Sequence, residues 1–526
     1  MANSANEAHK ILEEDNIDLV ISMLRIGDTD TFRFAKQVKS SYPKIPIVVL
    51  THFSREITIR LEKEDLSAID YVFCWLGNAD ILLAIIKLIE DRMNVEYDVE
   101  VVGVQTILLV EDSIRYISTY LPNIYKIIFK QSKEYMREAL NEHQKMLRMR
   151  GRPKILLATN YEQAVALYEK YKYNMLGIIS DITYPRKGIK DKLAGIKLCK
   201  KVKEDDEFMP LLLKSSDMNN KQYEDELGVG FIHKYSKTLS IEVRNYVIKQ
   251  FAFGAFVFRD PDSLKEIGRA SDLQSLQHLI LTIPDKSLEY HAGRNDLSKW
   301  LNARAIFPIA QMFKYLTLSD FNDLKEVRNY IFRAISSYRM SKGRGVIAQF
   351  DKNNFDEYLI FSRIGDGSIG GKARGLAFIN SIIKKNNIFN KFKGIIVTIP
   401  RTVVLSTDIF DDFMEENNLY KVGLSDLDDE EIVEQFINAK LPSRVYQDLY
   451  AFISVINNPI AIRSSSKLED SHYQPFAGIY STYMIPKTAN STLMIKMLSD
   501  AIKCVYASVY FKASKAYMAA TSNVID

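Results

Sequence analysis

Glu111 and Asp112 stand side by side directly after an apolar run, TILLV, and Asp181 closes another, LGIISD. Three carboxylates brought to one place repel one another unless a cation such as Mg²⁺ binds between them. Ser215 ends a third apolar run, PLLLKS, and Lys234 a fourth, GFIHK, which adds a hydroxyl and an ammonium. The set suits phosphoryl transfer to a carboxylate. The metal (Glu111, Asp112 and Asp181) and Lys234 would neutralise phosphoryl oxygens, and Asp181 would be the nucleophile. A single acid at the end of a strand reads as solvated or capping; the five together read as a site.

A second constellation lies further along. Gly365, Gly367, Gly370, Gly371 and Gly375 crowd one short stretch that includes Lys372. Glycines allow close approach to phosphate and let backbone N–H groups turn toward it. The stretch GDGSIG fits G-x-G-x-x-G, a weak signal alone. A dinucleotide fold needs a strand immediately before it, and FDEYLIF reads as a poor strand. A Walker A loop fails because Ala373 stands where Ser or Thr is required. Then PIAIRSSSKLED sets Arg463 and the hydroxyls of Ser464, Ser465 and Ser466 at the end of an apolar strand. A guanidinium followed by hydroxyls is suited to gripping a polyphosphate, although a lone RSSS reads as a solvated turn. Gly478, in FAGIYSTY, is expected in a tight turn that lays N–H groups over phosphates.

The elements that position these residues follow from periodicity. Residues 1–97 alternate helix and strand: AHKILEE, DLVISML, FRFAKQV, PIVVLTHF, IDYVFCW and ADILLAIIKLIEDRM. Such alternation implies a parallel α/β sheet. No strand precedes the first helix, so the pattern starts in mid-fold. Residues 101–258 repeat the pattern in full, with one long helical stretch expected from Ile114 to Met149. Residues 259–354 read as a helical connector whose clearest run is LSKWLNARAIFPIAQMFKYL. Residues 355–526 hold the glycine stretch, a strand in IIVTIPRTVVLS, the RSSS strand and a long closing helix.

The 526 residues leave room for about three or four domains. The formal charge of +4 is too small and too evenly spread to argue for nucleic acid. The three cysteines are far apart and have no CxxC spacing, which excludes a disulfide framework and a cysteine zinc site. No apolar run is long enough for a membrane span, and no secretory signal opens the chain. A cytoplasmic protein is expected.

With Glu111, Asp112, Asp181, Ser215 and Lys234 in that order, residues 101–258 resemble a response-regulator receiver domain, a flavodoxin-like doubly wound fold. The resemblance implies Asp181 as phosphoacceptor, Ser215 and Lys234 beside it, Mg²⁺ on the acids, and a histidine kinase as donor. Tyr235 departs from the proline usual after the lysine, and the loop ITYPRKGIKDKLAG is longer than usual. Residues 1–97 resemble the same family without its chemistry. Met23 stands in the acceptor's place, Thr51 keeps the hydroxyl, and Cys74 or Trp75 replaces the lysine. A packing or dimerising module, and with it a homodimer, is expected.

GGKARG, IIVTIPRTVVLST, AIRSSSKLED and FAGIYSTY together resemble the N-terminal nucleotide-binding region of the phosphoenolpyruvate synthase and pyruvate phosphate dikinase family, the first part of an ATP-grasp α+β domain. The resemblance implies ATP held by Gly370, Gly371, Lys372, Arg463, Ser464, Ser465, Glu469, Asp470 and the Gly478 turn. It also implies a second ATP-grasp half, a phosphohistidine domain and a pyruvate-binding barrel beyond Asp526, so the chain is expected to be a fragment clipped at both ends. Phosphate would pass through histidine to pyruvate, or to another acceptor such as a glucan or an antibiotic, with the receivers tuning the activity. The alternative is a signalling protein whose ATP-like region is a scaffold.

Overall fold

The computed structural model describes residues 2–27, 29–52, 64–136, 139, 142–314, 317–343, 345–350, 358–466 and 478–521. The chain is mixed α/β with parallel sheets. It divides into two compact units, Met1–Arg137 with Met146–Phe332, and Glu138–Lys145 with Arg333–Asp526.

In the first unit, the apolar runs of residues 101–258 form a five-stranded sheet. Its order is Gly230–His233, Leu211–Ser215, Met175–Asp181, Thr106–Val110, Lys154–Ala158, and every pairing is parallel. The three middle strands are buried along their whole length, which is why they read as continuous apolar runs rather than alternating ones. Successive side chains point to opposite faces and feed two cores. Ile107, Leu109, Ile179 and Leu212 pack with the helices Ile114–Met136 and Leu239–Gln250. Leu108, Val110, Ile178 and Leu213 pack with Tyr161–Tyr171 and Ala194–Asp205. All five strands run the same way, so their carboxyl ends share one edge.

Residues 1–97 form a three-stranded parallel sheet in the order Val20–Ser22, Ile47–Thr51, Tyr71–Cys74. Val48, Leu50 and Phe73 share a core with Ile117, Leu121 and Ile124 of the helix Ile114–Met136. That helix is therefore covered by both sheets, and the first module packs against the second within one unit. The helix Asp80–Tyr97 buries Ile81, Ala84, Ile85, Leu88 and Val95, and on the same face Asp91. Asp91 is fully buried and fully bonded. It accepts from Arg152 Nη2 at 2.7 Å, the Tyr125 hydroxyl at 2.8 Å and the Ile155 N–H at 2.9 Å.

Several expected elements are interrupted. The stretch Ile114 to Met149 is two helices, Ile114–Met136 and Glu142–Arg150. LSKWLNARAIFPIAQMFKYL divides into Asp296–Ala303 and Phe307–Lys314, because Ala305 between them adopts a φ of 55°. An antiparallel pair, Phe256–Arg259 with Glu266–Ala270, precedes these helices.

The second unit holds a parallel sheet, Ala348–Gln349, Phe361–Ile364 and Thr402–Leu405, and an antiparallel pair, Ile460–Arg463 with Thr482–Ile485. A strand, FSRI, does stand immediately before the glycine stretch, four polar and apolar residues too short to stand out in sequence. Of IIVTIPRTVVLS only Thr402–Leu405 is strand. The closing helix is split into Ser491–Ala507 and Lys512–Ala520 around Ser508, whose hydroxyl accepts the Ser481 N–H at 3.1 Å and whose carbonyl accepts from Ser514 at 2.7 Å. No described helix is long and apolar enough to cross a membrane.

Asp91→Ala should destabilise the first unit by roughly 3–5 kcal/mol, because Arg152 is left buried without its carboxylate. Urea unfolding followed by tyrosine fluorescence checks this, and an unchanged midpoint would contradict it.

Candidate functional site

The shared strand edge of the first unit brings together the five residues of the acid set. Glu111 and Asp112 follow the strand Thr106–Val110, and Asp181 ends its neighbour. Ligand oxygens of Glu111, Asp112 and Asp181 all lie within 4.8 Å of one another, the only such group among the described residues. Lys234 Nζ is 2.6 Å from Asp181 Oδ2 and 3.2 Å from both Glu111 oxygens. The other Asp181 oxygen accepts the Ile182 N–H at 2.7 Å. The Ser215 hydroxyl accepts from the Asp217 N–H at 3.0 Å and the Asn220 amide at 2.9 Å. Both are accepted bonds, and among the described residues the hydroxyl proton has no acceptor. Gly195 is the second residue of the helix Ala194–Asp205, and a Cβ there would stand 2.2 Å from the Asp181 carbonyl. Only glycine lets that helix pack so closely under the acid.

Burial dominates the electrostatics. It raises the Asp181 pKa, the neighbouring Glu111 charge raises it further, and Lys234 opposes both. Burial likewise raises Asp112, against the attraction of Lys190. For Lys234, burial works against the ammonium, but Glu111 and Asp181 outweigh it and hold the pKa above its usual value. A dense set of mutually perturbed groups at one edge is what a functional site requires, although ion-pair networks also produce it.

The residue that sequence reasoning passed over is Lys214. It lies inside the buried strand Leu211–Ser215 with its Nζ 3.2 Å from Glu111 Oε2 and 3.6 Å from the centre of the Tyr120 ring. Burial pushes its pKa down to about 8. A lysine within an apolar run, PLLLKSS, was the available signal, because a charge on a buried strand must find a buried partner.

The long loop after Asp181 is a hairpin, Tyr184–Arg186 paired with Ile189–Asp191. Its Lys190 reaches to 3.5 Å from Asp112 Oδ2, while Arg186 stacks 4.9 Å over the Tyr161 ring. In the first module, Met23 is exposed and its carbonyl accepts from Ser22 at 2.8 Å. Thr51 and Cys74 are buried.

In the second unit the glycine stretch joins the strand Phe361–Ile364 to the helix Gly370–Lys385. Its first N–H groups bond to side chains of the chain itself. Asp366 and Gly367 donate to the Asp408 carboxylate at 3.2 and 2.9 Å, and Ser368 N–H donates to Thr407 Oγ1 at 3.0 Å. The Gly367 amide, within the G-x-G-x-x-G stretch, is thus bonded to a carboxylate of the chain itself. The end of the stretch meets the RSSS segment instead. Gly370 has a φ of 72°, and a Cβ on it would fall 1.4 Å from the Ser465 carbonyl. Gly371 N–H donates to the Ser466 carbonyl at 3.2 Å, and Ala373 N–H to Ser465 Oγ at 3.0 Å. Lys372 thus enters the first turn of a helix whose start is bolted to Ser465 and Ser466, one residue beyond the Arg463 strand and Ser464. Gly478 has a φ of 80°, the left-handed conformation of a turn glycine. Glu469 and Asp470, with Phe476 and Ala477, lie outside the described residues.

Residues 366–523 match the family model described as pyruvate phosphate dikinase, AMP/ATP-binding domain. That match supports ATP binding by the second unit. It spans Gly370 to Lys372, Arg463 to Ser466 and Gly478. Among solved structures the chain is similar to a response regulator receiver domain protein from Clostridium thermocellum. The identity is 18%, over 27% of this chain and 94% of that one, with a TM-score of 0.19, a likeness too slight to add to the geometry above. No curated protein matches.

Asp408 should matter as the anchor of the glycine stretch. Burial works against its carboxylate, but bonds from Ser406, Gly367, Asp366 and Arg444 outweigh this and hold its pKa below the ordinary range. A depressed carboxyl contributes stability that is complete above its unfolded pKa of about 3.9 and lost as pH falls below it. Asp408→Asn should lower stability at neutral pH by about 1.5–3 kcal/mol, the worth of bonds to a charged acceptor, and flatten the acid limb of the stability profile. Equal stability of variant and wild type at pH 7 would contradict the anchoring role.

Proposed function

We propose that the chain is the ATP-binding portion of a phosphoenolpyruvate synthase-like phosphotransferase, a pyruvate, water dikinase, fused to a doubly wound, flavodoxin-like receiver that regulates it. The observation that carries the reading is the meeting of Gly370–Gly371–Lys372 with Ser464–Ser466 inside the stretch that matches the dikinase ATP-binding domain. Two segments almost a hundred residues apart are joined by a backbone bond from Gly371 to Ser466 and a bond from the Ala373 N–H to the Ser465 hydroxyl, so that a lysine and a guanidinium-bearing strand belong to one locus. In this reading Lys372 and Arg463 hold ATP phosphates through charge-assisted bonds, and Gly478 turns the chain over them. The boundaries follow the segments: a degenerate receiver to residue 97, a receiver at 101–258, a connector at 259–354, and the ATP-binding part from 355 onward.

At the acid edge, a carboxylate oxygen of Asp181 attacks the phosphorus of a phosphodonor. The new oxygen–phosphorus bond makes an acyl phosphate as the bond to the donor's leaving group breaks, and the leaving group keeps that electron pair. Lys234 stands 2.6 Å from the acid and offsets the charge gathered there, and Ser215 supplies a hydroxyl at the next strand end. The donor set fits a divalent cation: three carboxylates, with oxygens mutually within 4.8 Å, at a strand edge. Glu111, Asp112 and Asp181 would hold Mg²⁺, which supplies further charge neutralisation when bound. The donor in this reading is a histidine kinase, and the final phosphate acceptor is pyruvate or another hydroxyl or enol. The first module, whose Met23 has no acid to offer, serves as packing and supports the long helix Ile114–Met136.

Titration of the full chain with ATP by calorimetry tests the ATP-binding half. Lys372→Ala and Arg463→Ala should each weaken binding by about 1.5–3 kcal/mol, since each removes a charge-assisted contact. Unchanged affinity in both variants would place the phosphates elsewhere. A wild-type chain that binds no ATP would favour the scaffold reading.

A further inference from the structure

Glu111 is 0% exposed, yet two lysines reach it. Lys214 Nζ is 3.2 Å from its Oε2, and Lys234 Nζ is 3.2 Å from both oxygens. The Ser113 N–H adds a third donor at 3.3 Å from Oε1. A carboxylate has about four lone-pair sites on its two oxygens, and most of these are already engaged. Asp112 is differently placed. Its charged neighbour is Lys190 at 3.5 Å, an ammonium 67% exposed to solvent, and an ion pair that open is weak and easily exchanged.

The edge gathers three carboxylates against two buried ammoniums, those of Lys214 and Lys234, both at Glu111. Lys234 also serves Asp181 at 2.6 Å. Lys214 serves no other carboxylate at bonding distance among the described residues; its remaining contact is the face of the Tyr120 ring, 3.6 Å from Nζ to ring centre. The strand around it is apolar and fully buried, so an uncharged side chain would suit position 214 on packing grounds alone. A fixed ammonium beside a cation site repels the incoming cation and competes for the same oxygens.

We propose that Lys214 is a built-in counter-cation that competes for Glu111 and so weakens divalent-cation binding at this edge, where Glu111, Asp112 and Asp181 would hold the metal. The proposal rests on reading Glu111, Asp112 and Asp181 as a cation site. It makes the edge differ from a plain acid cluster. The site stays charge-compensated and assembled at low cation concentration, and it fills only when the cation is abundant.

The test is direct binding of Mn²⁺ to the full chain, followed by electron paramagnetic resonance of the free ion, with Asp112→Asn defining the share of binding that belongs to this edge. Wild type should bind in the millimolar range. Lys214→Met should bind at least about tenfold more tightly, as expected from removing a unit charge next to a divalent ion. Lys214→Gln, which keeps a donor for Glu111, should do the same, and Lys214→Arg, which keeps the charge, should stay near wild type. Far-UV circular dichroism confirms that each variant is folded. Equal or weaker binding in both neutral variants, still dependent on Asp112, would overturn the role of Lys214 alone. A low-micromolar wild-type site would overturn it without any variant. Absence of Asp112-dependent binding in every protein would overturn both this proposal and the cation reading beneath it.

Discussion

The arrangement of the first unit turns on one buried carboxylate. Glu111 has no exposed surface, and an ion of its size left unpaired in such a place costs several kcal/mol even after relaxation. Lys214 and Lys234 offset that cost from two different strands, Leu211–Ser215 and the end of Gly230–His233. The pairing is geometrically possible only if those strands run parallel to Thr106–Val110 and end at the same level. Each strand must also keep its register, because a slip of one residue would send Lys214 to the opposite face. The observed register sets Lys214 level with Asp181 across one pairing and with Ile232 across the other. Sheet topology and site chemistry are thus fixed by the same interaction.

A second buried acid does for the two modules what Glu111 does for the strand edge. Asp91, on a helix of the first module, takes the guanidinium of Arg152 and the N–H of Ile155 at the entry of the strand Lys154–Ala158. The first module contributes this clamp and the apolar cover it lends to Ile114–Met136. In the second unit the logic repeats at smaller scale. Asp408 satisfies the opening amides of the glycine stretch, and Ser465 and Ser466 satisfy those at its end. The stretch is held by the chain's own groups, which fixes where Lys372 starts its helix.

Much of this was legible beforehand. Continuous apolar runs separated by amphipathic ones gave the parallel sheet, and Glu111, Asp112, Asp181, Ser215 and Lys234 fell at strand ends because chain direction alone places them there. What escaped was mostly long-range. Lys214, a charge within the apolar run PLLLKSS, was passed over, and its partner is 103 positions away. Asp91 sits on the buried stripe marked by Ile81, Ala84, Ile85, Leu88 and Val95, so its position was readable but its partner Arg152 was not. The break near Ser508 carries no glycine or proline and is imposed by bonds to Ser481 and Ser514. The Asp408 anchor was hidden because G-x-G-x-x-G spacing says only that a backbone bends, not which group fills the bend.

The central claim is that the strand edge around Glu111 presents Asp181 as a phosphoacceptor. Intact-mass analysis with peptide mapping, after incubating the full chain with acetyl phosphate and Mg²⁺, tests it most directly. The account predicts one phosphate on the wild type, mapped to the peptide containing Asp181, none on Asp181→Asn, and none on the peptide containing Met23. A phosphate that persists in Asp181→Asn, or maps elsewhere in the wild type, would contradict it.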